Sequence, residues 1–575
     1  MTDSPLVGQT WQQLLARHSF IELDALGRAT ALLDDGAARV LAGPFDRLES
    51  PWLVPQGITP QSDDGTVIAR GTIGGRPVVV ASIEQGFQGG GTGEVSGAKI
   101  SQALELAAAD SRAGTPTAAV ILFETGGVRL QEANLGLNAV AEICSAVLDL
   151  RPYAPVVGVV AGTVGSFGGM SIAAGLCTSL IVTPQARIGL NGPAVIEQEG
   201  GVEEFDSSDH ALIWAVDGGE QRHATALADT LVADDVDLLR AAVDGAIAAG
   251  VPAPGSHRSE RVDVLASRLA VLDPTNPPAP LALRSLWGDR FVPISGSDGS
   301  HAVARTSGAT TRGATWLAAL SGGAPVESII PSVQAAHTGD ALYLAVVPDP
   351  DNPYHRAREG QVGLTESLAL AQAVRRLADA DRDADVKTPI VAVVDLPSQA
   401  YGRIEEMAGL HQAMATTVDA YHSARVAGHP VVAMVVGTAL SGGFLTHGLQ
   451  ANQILALDDP KVEIHAMHEA AAARITLRTV EELNELAKTV LPMSYDVRDW
   501  AKLGLGSGLL QVENPDRPTE KDVVTVGAAI AEAIRRAAAS PVDLSNRLDS
   551  DDAVRARHAS RAVRDLLRAQ WPGGA

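Results

Sequence analysis

Residues 155–169 read PVVGVVAGTVGSFGG and residues 430–443 read PVVAMVVGTALSGG. Each is a β-branched apolar run that ends in a glycine pair and passes into small apolar residues. A strand that enters a helix through Gly-Gly leaves backbone N–H groups free at the helix start. The helix dipole there favours negative charge, and without a Cβ a ligand oxygen can come close. Beside the first copy, the loop TGGVR at 125–129 offers further N–H groups. Two donors aimed at one point form an oxyanion hole, worth roughly a hundred- to a thousandfold in rate per donor. The first-copy candidates are Gly126, Gly127, Gly168 and Gly169. Gly-Gly alone is also common in tight strand–helix packing; the pairing of two such loops in each half of the chain points to chemistry. A bulky side chain at either helix start, Gly169→Val or Gly443→Val, is expected to fill the space of a ligand oxygen.

Activated nucleophiles of the familiar kinds are missing from the sequence: there is no GxSxG, no HExxH, no Walker loop and no GxGxxG after a strand. The chemistry that remains is stabilisation of an enolate or a related oxyanion.

The elements that must hold these loops occur twice. An apolar run beginning at Pro116 precedes the first copy by 39 residues, and one beginning at Pro389 precedes the second by 41. Upstream, GEVSGAKISQALELAAADS at 93–111 matches GQVGLTESLALAQAVRRLADAD at 360–381 in place and helical pattern. Downstream, ARIGLNG at 186–192 corresponds to PKVEIHA at 460–466. Helix, strand, loop, strand, Gly-Gly helix and strand therefore recur in one order, as in an internally duplicated α/β protein. Between the copies, residues 293–313 are rich in Gly, Ser and Thr, which predicts a flexible linker. The expected division is a domain over 1–290, a linker over 291–314 and a domain over 315–575. Residues 517–575 carry two amphipathic helical patterns, read as packing or docking helices.

Bulk properties agree with a globular protein. The 575 residues are 46% hydrophobic and 19% charged, too long a chain for one ordinary core. A net charge of −24 argues against nucleic acid or an anionic membrane as partner. Cys144 and Cys177, the only cysteines, make neither a disulfide framework nor a metal site, so a cytoplasmic protein without metal is expected. The N-terminus shows no signal-peptide pattern. Residues 152–186 lack any charge and are long enough to cross a bilayer. Their pattern of β-branched run, glycine turn and small apolar run predicts instead a buried strand, turn and helix.

Longer motifs carry a family resemblance. GFQGGGTGEVSGAKI (86–100), FETGGVRLQEANLGL (123–137), LNGPAVIEQEGGVEEFD (190–206) and GGEQRHATALADTLV (218–232) resemble the β subunit of biotin-independent malonate decarboxylase. VPDPDNPYHRAREGQVGL (347–364), DLPSQAYGRIEE (395–406) and SGGFLTHGLQAN (441–452) resemble its γ subunit. The resemblance covers about residues 15–290 and 315–510. It implies two tandem crotonase-like, carboxyltransferase-type ββα-spiral domains in a βγ fusion. It further implies decarboxylation of a malonyl thioester to an acetyl thioester. That thioester is carried on the CoA-derived prosthetic group of a separate acyl carrier protein, the δ subunit, loaded by an α transferase subunit. A homo-oligomer is expected.

On the same resemblance the second oxyanion hole lies near Ser398–Gln399 and Ser441–Gly442–Gly443, and Arg129 and Arg403 bind substrate. Tyr401, His465, Glu132 and Asn191 lie in or beside the repeated loops and are candidates to donate a proton or order a water. Plainer roles stand beside these: a surface or interdomain Arg129–Glu132 ion pair, a packed Tyr401, a hydrogen-bonded core His465. No lysine follows a methionine, so the Met-Lys biotin attachment site is absent and no bound biotin is expected; nor is there a four-cysteine zinc ribbon. Two rivals remain: the carboxyltransferase of a biotin-dependent enzyme, and a non-catalytic scaffold in which the glycines only pack.

Overall fold

The structure, a computed structural model, describes Trp11, residues 15–294 and residues 311–572. Most of the expected linker therefore lies outside the described residues.

Two mixed sheets form the protein. The first contains β1 (Arg39–Leu41), β2 (Thr66–Ile73), β3 (Arg76–Ile83), β4 (Ala118–Phe123), β5 (Val156–Val160), β6 (Ser179–Val182) and β7 (Thr230–Leu231), in that spatial order. The first three strands pair antiparallel, and β3 to β7 run parallel. The second sheet contains β8 (Val326–Ile330), β9 (Val333–His337), β10 (Leu342–Val346), β11 (Ile390–Leu396), β12 (Val431–Leu440), β13 (Gln453–Leu457) and β15 (Gly508–Leu510). Here β8 to β10 are antiparallel and β10, β11, β12, β13 and β15 are parallel. β14 (Ile464–His465) pairs with the end of β12. Helices cover both faces of such parallel strands, so their sequences read as continuous apolar runs; every residue of β4 and of β5 is buried. The uncharged stretch 152–186 forms β5, a glycine turn, the helix Gly169–Leu176 and β6.

Short bridges extend the sheets beyond the strand ends and fix the glycine loops. In the first half Thr92 pairs with Val128, and Ser166 pairs with both Thr125 and Ile188. In the second half Val362 pairs with Gln399. The sequence reading placed TGGVR and DLPSQAYG at matching positions, and the bridges give both loops the same parallel partner geometry.

Two helices buried on nearly every side lie where the halves meet. Ala133–Leu150 buries all of its residues except Asp149, and Leu410–Val426 all but Ser423 and Val426. A helix buried all round belongs in a large core. The window Leu130–Leu150 has the length and composition of a membrane span, yet 94% of it is buried inside the protein.

Ion pairs and hydrogen bonds cross between the halves. Arg151 reaches Asp419 at 2.6 Å, and Arg425 donates to Ser145 at 3.0 Å. The chain's final helix, His558–Gln570, lies against Glu94–Arg112 of the first half. Its Arg564 meets Glu142 at 3.0 Å and Glu105 at 2.6 Å, while Arg557 meets Glu142 at 2.8 Å. The two arginines outweigh the burial of Glu142 and hold its carboxyl down at about 2. The amphipathic C-terminal pattern is thus a clamp of the second half on the first.

Candidate active site

A cavity of about 670 Å³ lies between the halves within one chain. The first half lines it with Gly126, Val128, Phe167, Gly168, Gly169 and Asn191, and the second with Gln399, Tyr401, Ser441 and Gly442. The two glycine phrases and their partner loops converge on this one space.

Most N–H groups of the first corner are already used. Gly126 donates to the Gly89 carbonyl at 3.0 Å and Gly168 to that of Leu190 at 2.8 Å. Gly127 donates to Thr125 Oγ1 at 3.0 Å. Among the described residues no acceptor meets the amide of Gly169, at the helix start, or that of Val128. Gly127, with φ +107°, and Gly168, with φ +58°, lie back to back: a Cβ on Gly127 would be 3.1 Å from Gly168 Cα. This close approach brings the Val128 and Gly169 peptides to the same wall. Of the four expected glycines only Gly169 keeps a free donor, and Val128 joins it. Val128 is invisible to a search for glycine because the N–H, not the missing Cβ, is what matters there.

Substitution at the helix starts also differs from expectation. A Cβ on Gly169 would lie 2.6 Å from Leu445 Cδ2 and 2.8 Å from Val140 Cγ1. One on Gly443 would lie 2.6 Å from the Ser398 carbonyl oxygen. Both directions point into packed protein, so Gly169→Val and Gly443→Val would break packing rather than fill ligand space.

In the second corner a side chain intervenes. Gly442 donates its N–H to Gln399 Oε1 at 2.8 Å, and Gln399 Nε2 donates to Asn191 Oδ1 at 2.7 Å. Ser441 has φ +55°, in the left-handed region, at the turn from β12 into the helix Ser441–Thr446. Its hydroxyl donates to the Ala466 carbonyl at 2.9 Å and stands 3.4 Å from the Tyr401 hydroxyl. Burial pushes the Tyr401 phenol up to about 12. Tyr401 therefore carries its proton throughout the physiological range. Ser398 and Gly443 lie behind this wall: Ser398 Oγ donates to the Gln399 carbonyl at 2.7 Å.

Several expected site residues stand elsewhere. Glu132 is fully buried outside the cavity, binding Arg129 at 2.8 Å and accepting from Ser50 at 2.6 Å. Arg129 touches the cavity wall, but Asp64 at 2.8 Å and Glu132 hold its guanidinium, which lies over the Phe87 ring. The ion pair expected at the surface or between the domains is instead buried within the first half. His465 does not reach the cavity: its Nδ1 meets the Met467 carbonyl at 2.8 Å and its ring stacks on Tyr495 at 3.9 Å. Burial lowers its pKa to about 4, so it is a neutral core histidine. Arg403 lies outside the cavity at the start of Arg403–Met407, its backbone N–H given to Glu204 at 2.9 Å.

Arg187 lines the cavity and was not singled out in the sequence. Its guanidinium lies over Phe167 at 5.4 Å and Trp214 at 5.1 Å, and Nε donates to the Thr163 carbonyl at 2.7 Å. Among the described residues no carboxylate pairs with it. Half-burial lowers its pKa, partly offset by the charges of Asp217 and Glu124, neither of which forms an ion pair with it. The signal was present in ARIGLNG, but nothing in the sequence distinguishes a cavity arginine from a surface one. No group of three or more His, Cys, Asp or Glu among the described residues has the arrangement of a metal site.

Residues 357–571 match the family described as malonate decarboxylase gamma subunit, and residues 54–282 the carboxyl transferase domain. The chain is 40% identical over 240 residues to the malonyl-S-ACP:biotin-protein carboxyltransferase MADC of Malonomonas rubra, a match covering 40% of this chain and 75% of that protein. It is 41% identical over 133 residues to the same organism's malonyl-S-ACP:biotin-protein carboxyltransferase MADD, covering 23% of this chain and 46% of that protein. Against a chain of a Pseudomonas malonate decarboxylase hetero-tetramer, crystallised with malonate, identity is 56% over 48% of this chain and 99% of the other, with a TM-score of 0.47. The chain belongs to the malonate decarboxylase family and joins a β-type carboxyl transferase portion to a γ-type portion in one polypeptide.

Proposed function

We propose that the protein removes CO₂ from a malonyl group carried as a thioester on a separate acyl carrier protein and leaves an acetyl thioester. The bond between the methylene and the carboxylate breaks, and its electron pair passes into an enolate on the thioester oxygen. The free N–H groups of Val128 and Gly169 hold that oxygen; such donors act strongly in a site that excludes bulk water. The neutral Tyr401 phenol gives its proton to the enolate carbon from the opposite wall and recovers one from solvent. Gln399, Ser441 and Gly442 shape the side where the carboxylate leaves.

The observation that carries this is the meeting of two uncommitted amides and a protonated phenol on facing halves of one cavity. In this proposal the halves are tandem crotonase-like domains, about 1–290 and 315–575. The carrier (δ) and transferase (α) subunits act in trans, the enzyme assembles as an oligomer in the cytoplasm, and no biotin is attached to the chain.

Purified protein given malonyl-CoA or a malonyl-loaded carrier protein, without biotin or ATP, should release CO₂. Tyr401→Phe should keep the fold and lower kcat about 100-fold. A wild-type protein that releases no CO₂ sinks the proposal.

A second reading has specific support, because both Malonomonas rubra relatives are named as carboxyltransferases to a biotin protein. There the carboxyl group would pass to biotin on a partner. Turnover that requires a biotinylated acceptor, and that avidin abolishes, selects it.

A further inference from the structure

Glu406 does not line the cavity, yet it fixes the direction of the hydrogen bonds in one wall. It is fully buried on the helix Arg403–Met407 of the second half. Across the boundary its Oε2 accepts from the Leu190 amide at 2.8 Å, and its Oε1 from the Asn191 amide at 2.7 Å and Asn191 Nδ2 at 2.9 Å. Asn191 Nδ2 also donates to the Ala400 carbonyl at 2.8 Å.

An ionised carboxylate and a carbonyl can only accept. Two such acceptors oblige the nitrogen of the Asn191 amide to face them, so Oδ1 faces Gln399. Gln399 must then donate with Nε2, which leaves its Oε1 to accept from Gly442. One negative charge orders two amides in series. The same Asn191 nitrogen pins the peptide between Ala400 and Tyr401.

The neighbouring groups keep that charge on Glu406. Asp217 and Glu406 both face the Cα of Gly189, whose added Cβ would be 2.9 Å from Glu406 Oε2 and 3.1 Å from Asp217 Oδ1. Burial raises both carboxyls, Asp217 well above its ordinary value and Glu406 to about 7, where Arg222 and the donors from Leu190 and Asn191 oppose it. Glu406 accepts three N–H donors, whereas Asp217 accepts one, from Arg222 at 3.0 Å, and its Oδ2 has none. Three donors on Glu406 against one on Asp217 favour the negative charge on Glu406. Arg222 completes the group by donating to the Glu406 and Ile188 carbonyls at 2.9 and 2.8 Å.

We propose, on the decarboxylation reading above, that Glu406 is a positioning residue that acts through Asn191 to set the Gln399–Tyr401 edge of the cavity and so aims the Tyr401 phenol. The test is a double-mutant cycle on the full chain with malonyl-CoA. Glu406→Gln can turn its amide nitrogen toward Asn191 and reverse the series. It should lower kcat about 10- to 100-fold, the scale of a misplaced catalytic group, with KM nearly unchanged. In a Tyr401→Phe background the same change should cost less than about threefold, because the group it aims is gone. Asn191→Ser, which leaves the Leu190 contact to Glu406 intact, should behave likewise and decides the matter if Glu406→Gln does not fold.

Losses that multiply in the double variants overturn the proposal and make Glu406 merely structural. A Tyr401→Phe protein with wild-type kcat overturns it as well. Wild-type protein that releases no CO₂ instead removes the decarboxylation reading, and the positioning role with it.

Discussion

Gly126 and Gly169 both line the cavity, but a methyl group added to each meets different surroundings. At Gly126 the new Cβ finds only the Gly89 carbonyl oxygen, at 3.6 Å, an ordinary contact. At Gly169 it lies well inside contact distance of Leu445 and Val140. Neither glycine is among the positive-φ residues, so alanine brings no backbone strain at either. Gly126→Ala should therefore change unfolding free energy by no more than about 0.5 kcal/mol. Its methyl should occupy cavity space beside the Val128 amide. A misfit of one such group in a binding pocket is worth about 1–3 kcal/mol, or roughly 10- to 200-fold in kcat/KM. Gly169→Ala should be overpacked and lose about 1–3 kcal/mol of stability. Urea unfolding and kcat/KM for malonyl-CoA, measured side by side on the two variants, separate ligand space from packing. If Gly126→Ala keeps wild-type kcat/KM, the 125–129 loop does not face the ligand and Val128 is no donor. If it loses stability as Gly169→Ala does, the space beside it is not open.

Three further outcomes are expected. Glu142 is held near 2 in place of its ordinary 4.5, which corresponds to about 3 kcal/mol. A depressed carboxyl stabilises above its unfolded value, so this contribution should be complete above about pH 4.5 and vanish as pH falls toward about 2. Glu142→Gln should remove it and flatten that part of the stability profile in urea titrations; an unchanged acid limb would show that the Arg557–Glu142–Arg564 group does not bind the halves. Arg187→Gln should raise KM for malonyl-CoA several-fold and steepen no salt dependence, with kcat within about threefold, because an unpaired cation attracts the anionic substrate in ground and transition state alike; a selective fall in kcat would refute this. A protease site placed within residues 293–313 should, after cleavage, leave both halves together on gel filtration and active, and separation into folded halves would contradict the interface described above.

The glycine loops were legible because their spacing and apolar surroundings are local properties of the chain. Both loop pairs do meet at one cavity. What the sequence could not say is which N–H groups are already spent. Gly126, Gly127 and Gly168 look like donors until the carbonyls of Gly89 and Leu190 and the hydroxyl of Thr125 are placed beside them. Glu406 and Asn191 are separated by 215 residues, and no periodicity links them. His465 and Glu132 have the residue types of catalysts but the surroundings of core groups. Arg129 and Arg187 show the reverse difficulty, since two arginines beside glycine loops look alike in sequence. Only the arrival of Asp64 and Glu132 at one, and of two aromatic rings at the other, separates them.

One polypeptide has a physical advantage for such a site. The Gly169 helix start is packed by Leu445, the Leu190–Asn191 turn is held by Glu406, and Glu142 is matched by Arg557 and Arg564. Each contact has one partner in each half. A half standing alone would leave the carboxylate of Glu142 without either cation and Asp419 with one arginine, Arg375, in place of two. Within the assembled protein, losing one side of such a buried pair costs on the order of 3–5 kcal/mol. The cavity walls are therefore set by the same contacts that hold the halves together. Joining the halves covalently raises their effective concentration to the millimolar range expected of short connections. Assembly of the two halves and formation of the cavity then become one event, independent of protein concentration.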